Sequence, residues 1–245
     1  MSDSTKIAIV AALEREVWPL VKHWRVDNRT YDGRDFKFFE HENRVVVCGG
    51  IGGDAGRRAT DAVVDLYHPK LLISAGIAGA LDPKLRVGNI LVPAFVIDAN
   101  DGSRFATGSG RGAVVSSPAI AGAGEKAKLA KAYGADAVDM EGAAVARGAQ
   151  AHGIPFIAVK SISDELGFEL PPMQKFVDSS GQFRNVAFAS FVTVRPWLWM
   201  ETFNLYKNCV KASESLCKWL AERSFQKLQN PLSDTHLIDG ARVRL

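Results

Sequence analysis

The sequence has few of the residues that build metal sites or disulfide frameworks. Among its 245 residues there are three cysteines, Cys48, Cys209 and Cys217, and five histidines. The cysteines are odd in number and follow no metal spacing, and no two histidines stand at a ligand separation. We therefore predict no structural metal and a protein of the reducing cytoplasm.

Long apolar runs and strong charge are also missing. The first apolar run, residues 7–13, is too short for a signal peptide and lacks its cleavage pattern. No segment approaches the roughly 20 apolar residues that span a bilayer. The formal net charge is only +3, and the lysines and arginines are scattered along the chain. We therefore expect no membrane span and no nucleic-acid partner.

What the chain does contain is an alternation of strands and helices. Continuous apolar runs at residues 6–12 and 71–82 indicate strands buried on both faces, and helical spacing follows at residues 17–24 and 55–67. Hydrophobic residues make up 47% of the chain, enough for one sizeable core. Because no repeat or linker divides the sequence, we predict one three-layer α/β/α sandwich with a central mixed sheet. The predicted domain covers residues 1–225, and a C-terminal tail covers residues 226–245.

The most informative stretch is residues 138–164, VDMEGAAVARGAQAHGIPFIAVKSISD. Its pattern predicts a strand at 137–140, a helix at 142–151 and a second strand at 156–162. Because a crossover helix joins parallel strands, we expect the carboxyl ends of both strands at one sheet edge, where open α/β sheets bind ligands. Glu141 and Asp164 stand at these two ends and should face one pocket.

Two other segments offer groups whose role the sequence leaves open. Glu16 lies near the start of the first helix, where backbone N–H groups favour an anion, but a solvated acid is the plainer interpretation. The glycine-rich bend at residues 49–56 leads into the next helix and could cradle a phosphate, although its spacing matches neither a P-loop nor a dinucleotide fingerprint. Arg57 and Arg58 follow this bend as candidate phosphate ligands or as solvated charges.

Three segments in order resemble the nucleoside phosphorylase family, and most closely its 5′-methylthioadenosine/S-adenosylhomocysteine nucleosidase branch. They are KIAIVAALEREV (6–17), SAGIAGALDPKLRVGNILVP (74–93) and residues 138–164. The resemblance implies an enzyme that cleaves the N-glycosidic bond of a purine nucleoside. Asp164 then matches the general acid that protonates purine N7, and Glu16 matches the acid that activates water. The implied substrate contacts are Met140 and Glu141 at the ribose, Ala78 and Gly79 beside the sugar, Ser163 next to the acid, and Ile120 near the base.

The chemistry of this reaction independently calls for two kinds of acid. Breaking an N-glycosidic bond leaves positive charge on the ribose and negative charge on the departing base. A carboxylate at the sugar hydroxyls suits the first charge, and a proton donor at the base suits the second. Such a donor must keep its proton near neutrality, which calls for burial or for neighbouring carboxylates.

The sequence departs from the phosphate-using branches of this family. Where those branches hold the anion with an arginine and a serine, this chain has Ser74 and Ile77. Either water is the nucleophile, with Glu16 as its base, or phosphate is a co-substrate held by groups such as Arg57 and Arg58. In both cases the resemblance implies no cofactor.

A second resemblance, to the hopanoid-associated phosphorylases, rests on KSISDELGFELPPMQKFV (160–177), VRPWLW (194–199) and a shortened segment between residues 93 and 113. It implies that adenine is released from adenosylhopane, a lipid-like substrate. The aromatic and aliphatic side chains of residues 166–199 would then form an apolar entrance, or alternatively fill the core or a subunit contact. A hydrolytic nucleosidase and a non-catalytic nucleoside-binding protein remain the alternatives. The family likeness also implies a homo-oligomer.

Overall fold

The structure is a computed structural model that describes residues 6–178 and 181–222. The predicted tail at 226–245 lies outside the described residues. In chain order the strands are β1 Ile7–Ala11, β2 Arg25–Tyr31, β3 Arg34–His41, β4 Arg44–Cys48, β5 Leu71–Ala80, β6 Ile90–Leu91, β7 Phe95–Asp98, β8 Arg104–Ala106, β9 Ala113–Ser116, β10 Ala137–Asp139 and β11 Phe156–Asp164. The helices are α1 Glu14–Val21, α2 Gly53–Tyr67, α3 Ala123–Tyr133, α4 Gly142–Ala151, α5 Asn185–Thr193 and α6 Trp199–Glu222, with 3₁₀ turns at Gln174–Phe176 and Pro196–Leu198.

These strands form one mixed sheet with helices on both faces. Alternate residues of β1 enter different cores: Ala8 packs in the core that holds α2 and α4, and Ile9 packs in the core that holds α1 and α6. Both are fully buried, as a strand between two helical layers must be. The predicted α/β/α architecture with a mixed central sheet is confirmed. No helix among the described residues combines the length and apolar character needed to cross a membrane.

The long central strand β5 organises the sheet. Strand β11 pairs with β5 in parallel along residues 72–79 and occupies one edge of it. On the other edge β1 pairs in parallel with residues 71–74, and β10 pairs antiparallel with residues 79–80. This second edge is therefore open over residues 75–78, where no described strand pairs with it. Because β1 and β10 run toward each other, the segments that follow both strands meet at this opening.

The predicted parallel arrangement of β10 and β11 is wrong. Strand β11 is parallel to β5 and β10 is antiparallel to it, so the two strands joined by α4 run in opposite directions. Their ends nevertheless reach the same part of β5, since Val138 lies opposite Gly79 on one edge and Asp164 lies opposite Gly79 on the other. The ends of the two strands therefore flank one residue of β5 instead of sharing a sheet edge.

Three sequence patterns turn out differently in the structure. The turn-rich residues 99–112, whose sequence looks mobile, contain β8, and β8 forms a hairpin with β7. Residues 87–97 have the sequence pattern of one strand but are divided into β6 and β7. The apolar residues of α6 do not form one face: Leu216 and Leu220 are buried, whereas Phe203 and Tyr206 are exposed.

Candidate active site

Glu16 lies in the first turn of α1 and is buried beside the opening in the β5 edge. A Cβ atom added to Gly76, inside the opening, would lie 3.2 Å from Glu16 Oε2. This oxygen has no hydrogen-bond partner among the residues that the structure describes. Burial, followed by the charge of Glu141, raises the pKa of Glu16 to about 8, although Arg15 and Lys160 act in the opposite direction. The interpretation of Glu16 as a solvated acid is therefore wrong.

Glu141 follows β10 and is held by the glycine-rich bend. The backbone N–H of Gly52, immediately before α2, donates a 2.7 Å hydrogen bond to Glu141 Oε1, and the positive end of the helix dipole favours a carboxylate there. Burial and the charge of Asp139 raise the pKa of Glu141 to about 7, while Lys160 and the Gly52 N–H act to lower it. The bend that we considered as a phosphate cradle thus binds a side chain of the protein.

Lys160, which the sequence analysis did not select, is the cation beside Asp139 and Glu141. It lies on β11, is almost fully buried, and its Nζ is 2.7 Å from Asp139 Oδ2 and 3.0 Å from Ser74 Oγ. Burial alone would lower the pKa of Lys160, but the charges of Asp139 and Glu141 raise it above its ordinary value. The sequence did contain a signal for Lys160, because this lysine interrupts a continuous apolar strand and a charge in such a strand needs a buried partner.

Asp164 ends β11 and is also buried, with a relative exposure of 6%. Its Oδ1 accepts a 2.6 Å hydrogen bond from Ser163 Oγ, and this hydroxyl also lies 3.3 Å from the carbonyl oxygen of Ala78. Its Oδ2 contacts the ammonium group of Lys126, a residue of α3 that the sequence analysis did not select. The neighbour of the candidate acid is thus a cation, not the carboxylate that we considered.

The two ends of the candidate site lie three residues apart along β5. Glu16 lies beside Gly76, whereas Asp164 Oδ2 would lie 3.0 Å from a Cβ atom added to Gly79. An extended strand rises about 3.3 Å per residue, so the two glycines are about 10 Å apart along the strand. The first end offers carboxylates and the second offers a carboxyl group with a lysine.

The remaining predicted residues are two substrate contacts, Met140 and Ile120, and two phosphate ligands, Arg57 and Arg58. Met140 is partly buried between Asp139 and Glu141, and the backbone N–H of Ile120 donates a 2.7 Å hydrogen bond to Gln174 Oε1. Arg57 is exposed and pairs with Asp61 at 3.1 Å. Arg58 is partly buried, and its Nε has no hydrogen-bond partner among the described residues. The structure does not bring either arginine into contact with the buried acids.

A separate groove of about 460 Å³ lies between the end of α1 and the end of α6. Its lining includes Trp24, His41, Arg44 and Cys217, and none of the predicted site residues. It is open to solvent and contains no buried acid, so we place the candidate site at the β5 opening.

This arrangement can support cleavage of a bond between a sugar and a base. Carboxylates at one end suit the positive charge that develops on a ribose and the hydroxyls that it carries. A buried carboxyl group at the other end can exchange a proton with a ring nitrogen of the base. A carboxyl group with a pKa near neutrality, such as that of Glu16, is suited to take a proton from a nucleophile.

Known proteins have sequences and folds related to those of this chain. The 5′-methylthioadenosine/S-adenosylhomocysteine nucleosidase of Marinomonas sp. (strain MWYL1) is 29% identical in a match that covers 67% of this chain and 88% of that protein. The solved structure of the same type of nucleosidase from Neisseria meningitidis, in complex with methylthio-immucillin-A, has a TM-score of 0.67 at 18% identity and covers 89% of this chain and 97% of that one. The futalosine hydrolase of Helicobacter pylori has a TM-score of 0.63 at 20% identity, with coverage of 90% and 99%.

The family model of the Phosphorylase superfamily matches residues 6–123 and 109–191, which together span most of the described chain. This match confirms the predicted relationship to nucleoside phosphorylases and nucleosidases, and with it the predicted class of enzyme. The chain belongs to the phosphorylase superfamily.

Proposed function

We propose that this protein cleaves the N-glycosidic bond of an adenine nucleoside that carries a bulky apolar 5′ substituent, in the cytoplasm. For the full reaction we propose phosphorolysis of adenosylhopane, which releases adenine and requires phosphate as co-substrate but no cofactor. The observation that supports cleavage best is the placement of three acids along the middle of β5. Glu16, which is buried, and Glu141, which is partly buried, lie beside the open edge, and the buried Asp164 lies opposite Gly79 on the other edge.

Each acid has a separate role in the proposed reaction. Glu141 binds the ribose hydroxyls and offsets the positive charge that develops on the sugar. As the bond between C1′ and N9 breaks, its electron pair moves to the purine, and Asp164 transfers a proton to N7. The oxygen of the nucleophile then forms the new bond to C1′. Met140, Ala78 and Gly79 would line the sugar in this arrangement, with Ser163 supporting the acid and Ile120 near the base.

A hydrolytic reaction is the second candidate, and one observation favours it. Two of the three groups proposed for phosphate are engaged elsewhere, since Arg57 pairs with Asp61 and the Gly52 N–H donates to Glu141. In contrast, Glu16 has an unpartnered buried oxygen among the described residues and a pKa of about 8, which suits a base that activates water.

The identity of the nucleophile is tested by incubating the protein with an adenine nucleoside in the presence and absence of phosphate. Phosphorolysis requires that adenine release depends on phosphate and yields a sugar 1-phosphate. Release at the same rate without phosphate, with a free sugar as the product, would contradict phosphorolysis and support hydrolysis.

Support for a large apolar 5′ substituent comes from residues 166–199. This segment begins at the site, because Gln174 accepts a hydrogen bond from Ile120, and the carbonyl oxygen of Gly181 accepts one from the Ile51 N–H at 2.7 Å. It then continues into α5 and an exposed apolar surface, where Trp197 and Trp199 are 71% and 53% exposed.

One part of residues 166–199, around Phe176, does fill a core, as the alternative interpretation of this segment holds. Phe176 is buried and packs against Phe188 and Phe191, with ring centroids 5.3 Å from each. Trp197 and Trp199 are not covered by any described residue to a comparable extent. These two side chains are therefore available for a substrate, or for a second subunit in the homo-oligomer that we propose.

Two single variants, Trp197→Ala and Trp199→Ala, test the apolar entrance. We expect a larger loss of kcat/KM for adenosines with a long alkyl 5′ substituent than for 5′-methylthioadenosine, because only the long group extends over this surface. Phe95→Ala, which changes an exposed aromatic residue on β7, is the matched control. Equal losses on both substrates would mean that the tryptophans are structural, and sedimentation analysis would show whether those variants lose a subunit contact.

A further inference from the structure

Lys126 differs from the other lysines of its helix. Its side chain is fully buried, whereas Lys128 and Lys131, on the same helix α3, are exposed. The Lys126 ammonium group contacts Asp164 Oδ2 and donates a 2.7 Å hydrogen bond to the carbonyl oxygen of Glu165. Lysine is almost never fully buried without a partner, and here the partner is the carboxyl group that we place at the base.

Asp164, Lys126 and Gly79 form a closely packed group. One oxygen of Asp164 accepts from Ser163 and the other contacts Lys126, so both oxygens are already oriented in the free site. Gly79 provides the space for this contact, since a Cβ atom there would lie 2.9 Å from Lys126 Cε. Because Ser163 binds Oδ1, the oxygen of Asp164 that can contact a base is Oδ2. The ammonium group of Lys126 lies beside this oxygen.

We propose that Lys126 is a positioning residue for departure of the base, an inference that rests on the proposed function. Lys126 holds Oδ2 of Asp164 toward the purine. When the nucleoside is bound, the Asp164 carboxylate takes a proton from solvent on Oδ2. As the bond between C1′ and N9 breaks, its electron pair passes to the purine, this proton moves to N7, and Asp164 is left as a carboxylate. The ammonium of Lys126 stabilises this carboxylate without giving up a proton itself. The hydrogen bond from Lys126 to the carbonyl oxygen of Glu165 keeps the ammonium beside Oδ2 throughout.

A purely structural ion pair between α3 and β11 would affect substrates with different leaving groups alike. The role that we propose matters only when the leaving group must be protonated. A 4-nitrophenyl riboside departs as a stable anion and needs no proton, whereas adenine does. Assaying both substrates therefore separates a defect in leaving-group departure from a general loss of the fold or of ribose binding.

The test compares Lys126→Met and Lys126→Arg with Lys128→Met as the matched control. For adenine nucleosides we expect Lys126→Met to lower kcat by about 100-fold, the scale seen when one charge-stabilising group is removed, with KM nearly unchanged. Lys126→Arg should recover part of this loss, and Lys128→Met should behave as wild type. Hydrolysis of the 4-nitrophenyl riboside should be nearly the same in all four proteins. Equal losses on both substrates, or no loss on either, would overturn the proposal.

A double variant keeps the proposal testable if Lys126→Met leaves Asp164 unpaired and does not fold. Lys126→Met/Asp164→Asn removes both charges together, and Asp164→Asn is its reference. Because Lys126 acts through the proton of Asp164, we expect the double and single variants to release adenine at the same rate. A double variant that is at least about tenfold slower, a difference of about 1.4 kcal/mol in the barrier, would overturn the proposal. Failure of the wild-type protein to release adenine would instead contradict the proposed function.

Discussion

Replacement of Glu16 by glutamine should make the stability of this protein less dependent on pH. Burial and the charge of Glu141 raise the pKa of Glu16 from 4.5 to about 8, so the folded state holds this proton more firmly than the unfolded chain does. The wild-type protein therefore loses stability as the pH rises from about 4.5 to about 8. At 1.36 kcal/mol per pKa unit, the total loss through this group is at most about 5 kcal/mol.

Glu16→Gln keeps the size of the side chain but cannot ionise. Relative to wild type, we expect its free energy of unfolding to rise progressively from pH 5 to pH 9, by up to about 5 kcal/mol, as measured by urea denaturation. Glu14→Gln is the control, since Glu14 forms a partly exposed ion pair with Lys37 that is worth at most about 1 kcal/mol. Parallel pH profiles for Glu16→Gln and wild type would refute the inference that a buried, proton-holding acid lies at the opening.

Three other changes have defined outcomes. Lys160→Met leaves Asp139 buried without its cation, and urea denaturation should show a loss of about 3 to 5 kcal/mol; a loss below about 1 kcal/mol would contradict the pairing. Gly79→Ala places a Cβ atom 3.0 Å from Asp164 Oδ2 and 2.9 Å from Lys126 Cε, so these side chains must shift. Kinetic assays should show kcat reduced by about tenfold or more in a variant that thermal unfolding shows to be folded, whereas wild-type kcat would mean that the acid tolerates displacement. Glu141→Gln should reduce the preference for ribonucleosides over 2′-deoxyribonucleosides by about tenfold or more, and an unchanged preference would remove Glu141 from the ribose.

Elements with a strong local pattern were predictable from the sequence. The run of buried residues in β1, the helix α4 and the strand β11 appear at the expected positions, because apolar periodicity and breakers act over a few residues. The orientation of β10 was not predictable. It depends on pairing between Val138 and Gly79, 59 positions earlier in the chain, and no local pattern specifies that contact.

The candidate site was predictable in part for the same reason. Glu16 and Asp164 stand next to buried strands, and the sequence motifs around them identified both. Lys126 was not identified, because three lysines of α3 look alike in the sequence and only the packing against Asp164 distinguishes one of them. The pKa of Glu16 also depends on Glu141, which lies far away in the sequence and close to it only after folding.

Release of free adenine is the most direct measurement of the central claim. Wild-type protein and Asp164→Asn are incubated with a panel of adenosines that differ in the 5′ substituent, with and without phosphate, and thermal unfolding verifies that both proteins fold. The account predicts adenine release by wild type and loss of nearly all of it in Asp164→Asn, since a positioned acid contributes about 10²- to 10⁴-fold in rate. Tight adenosine binding by wild type without adenine release, or a variant that keeps more than about a tenth of the wild-type rate, would contradict it.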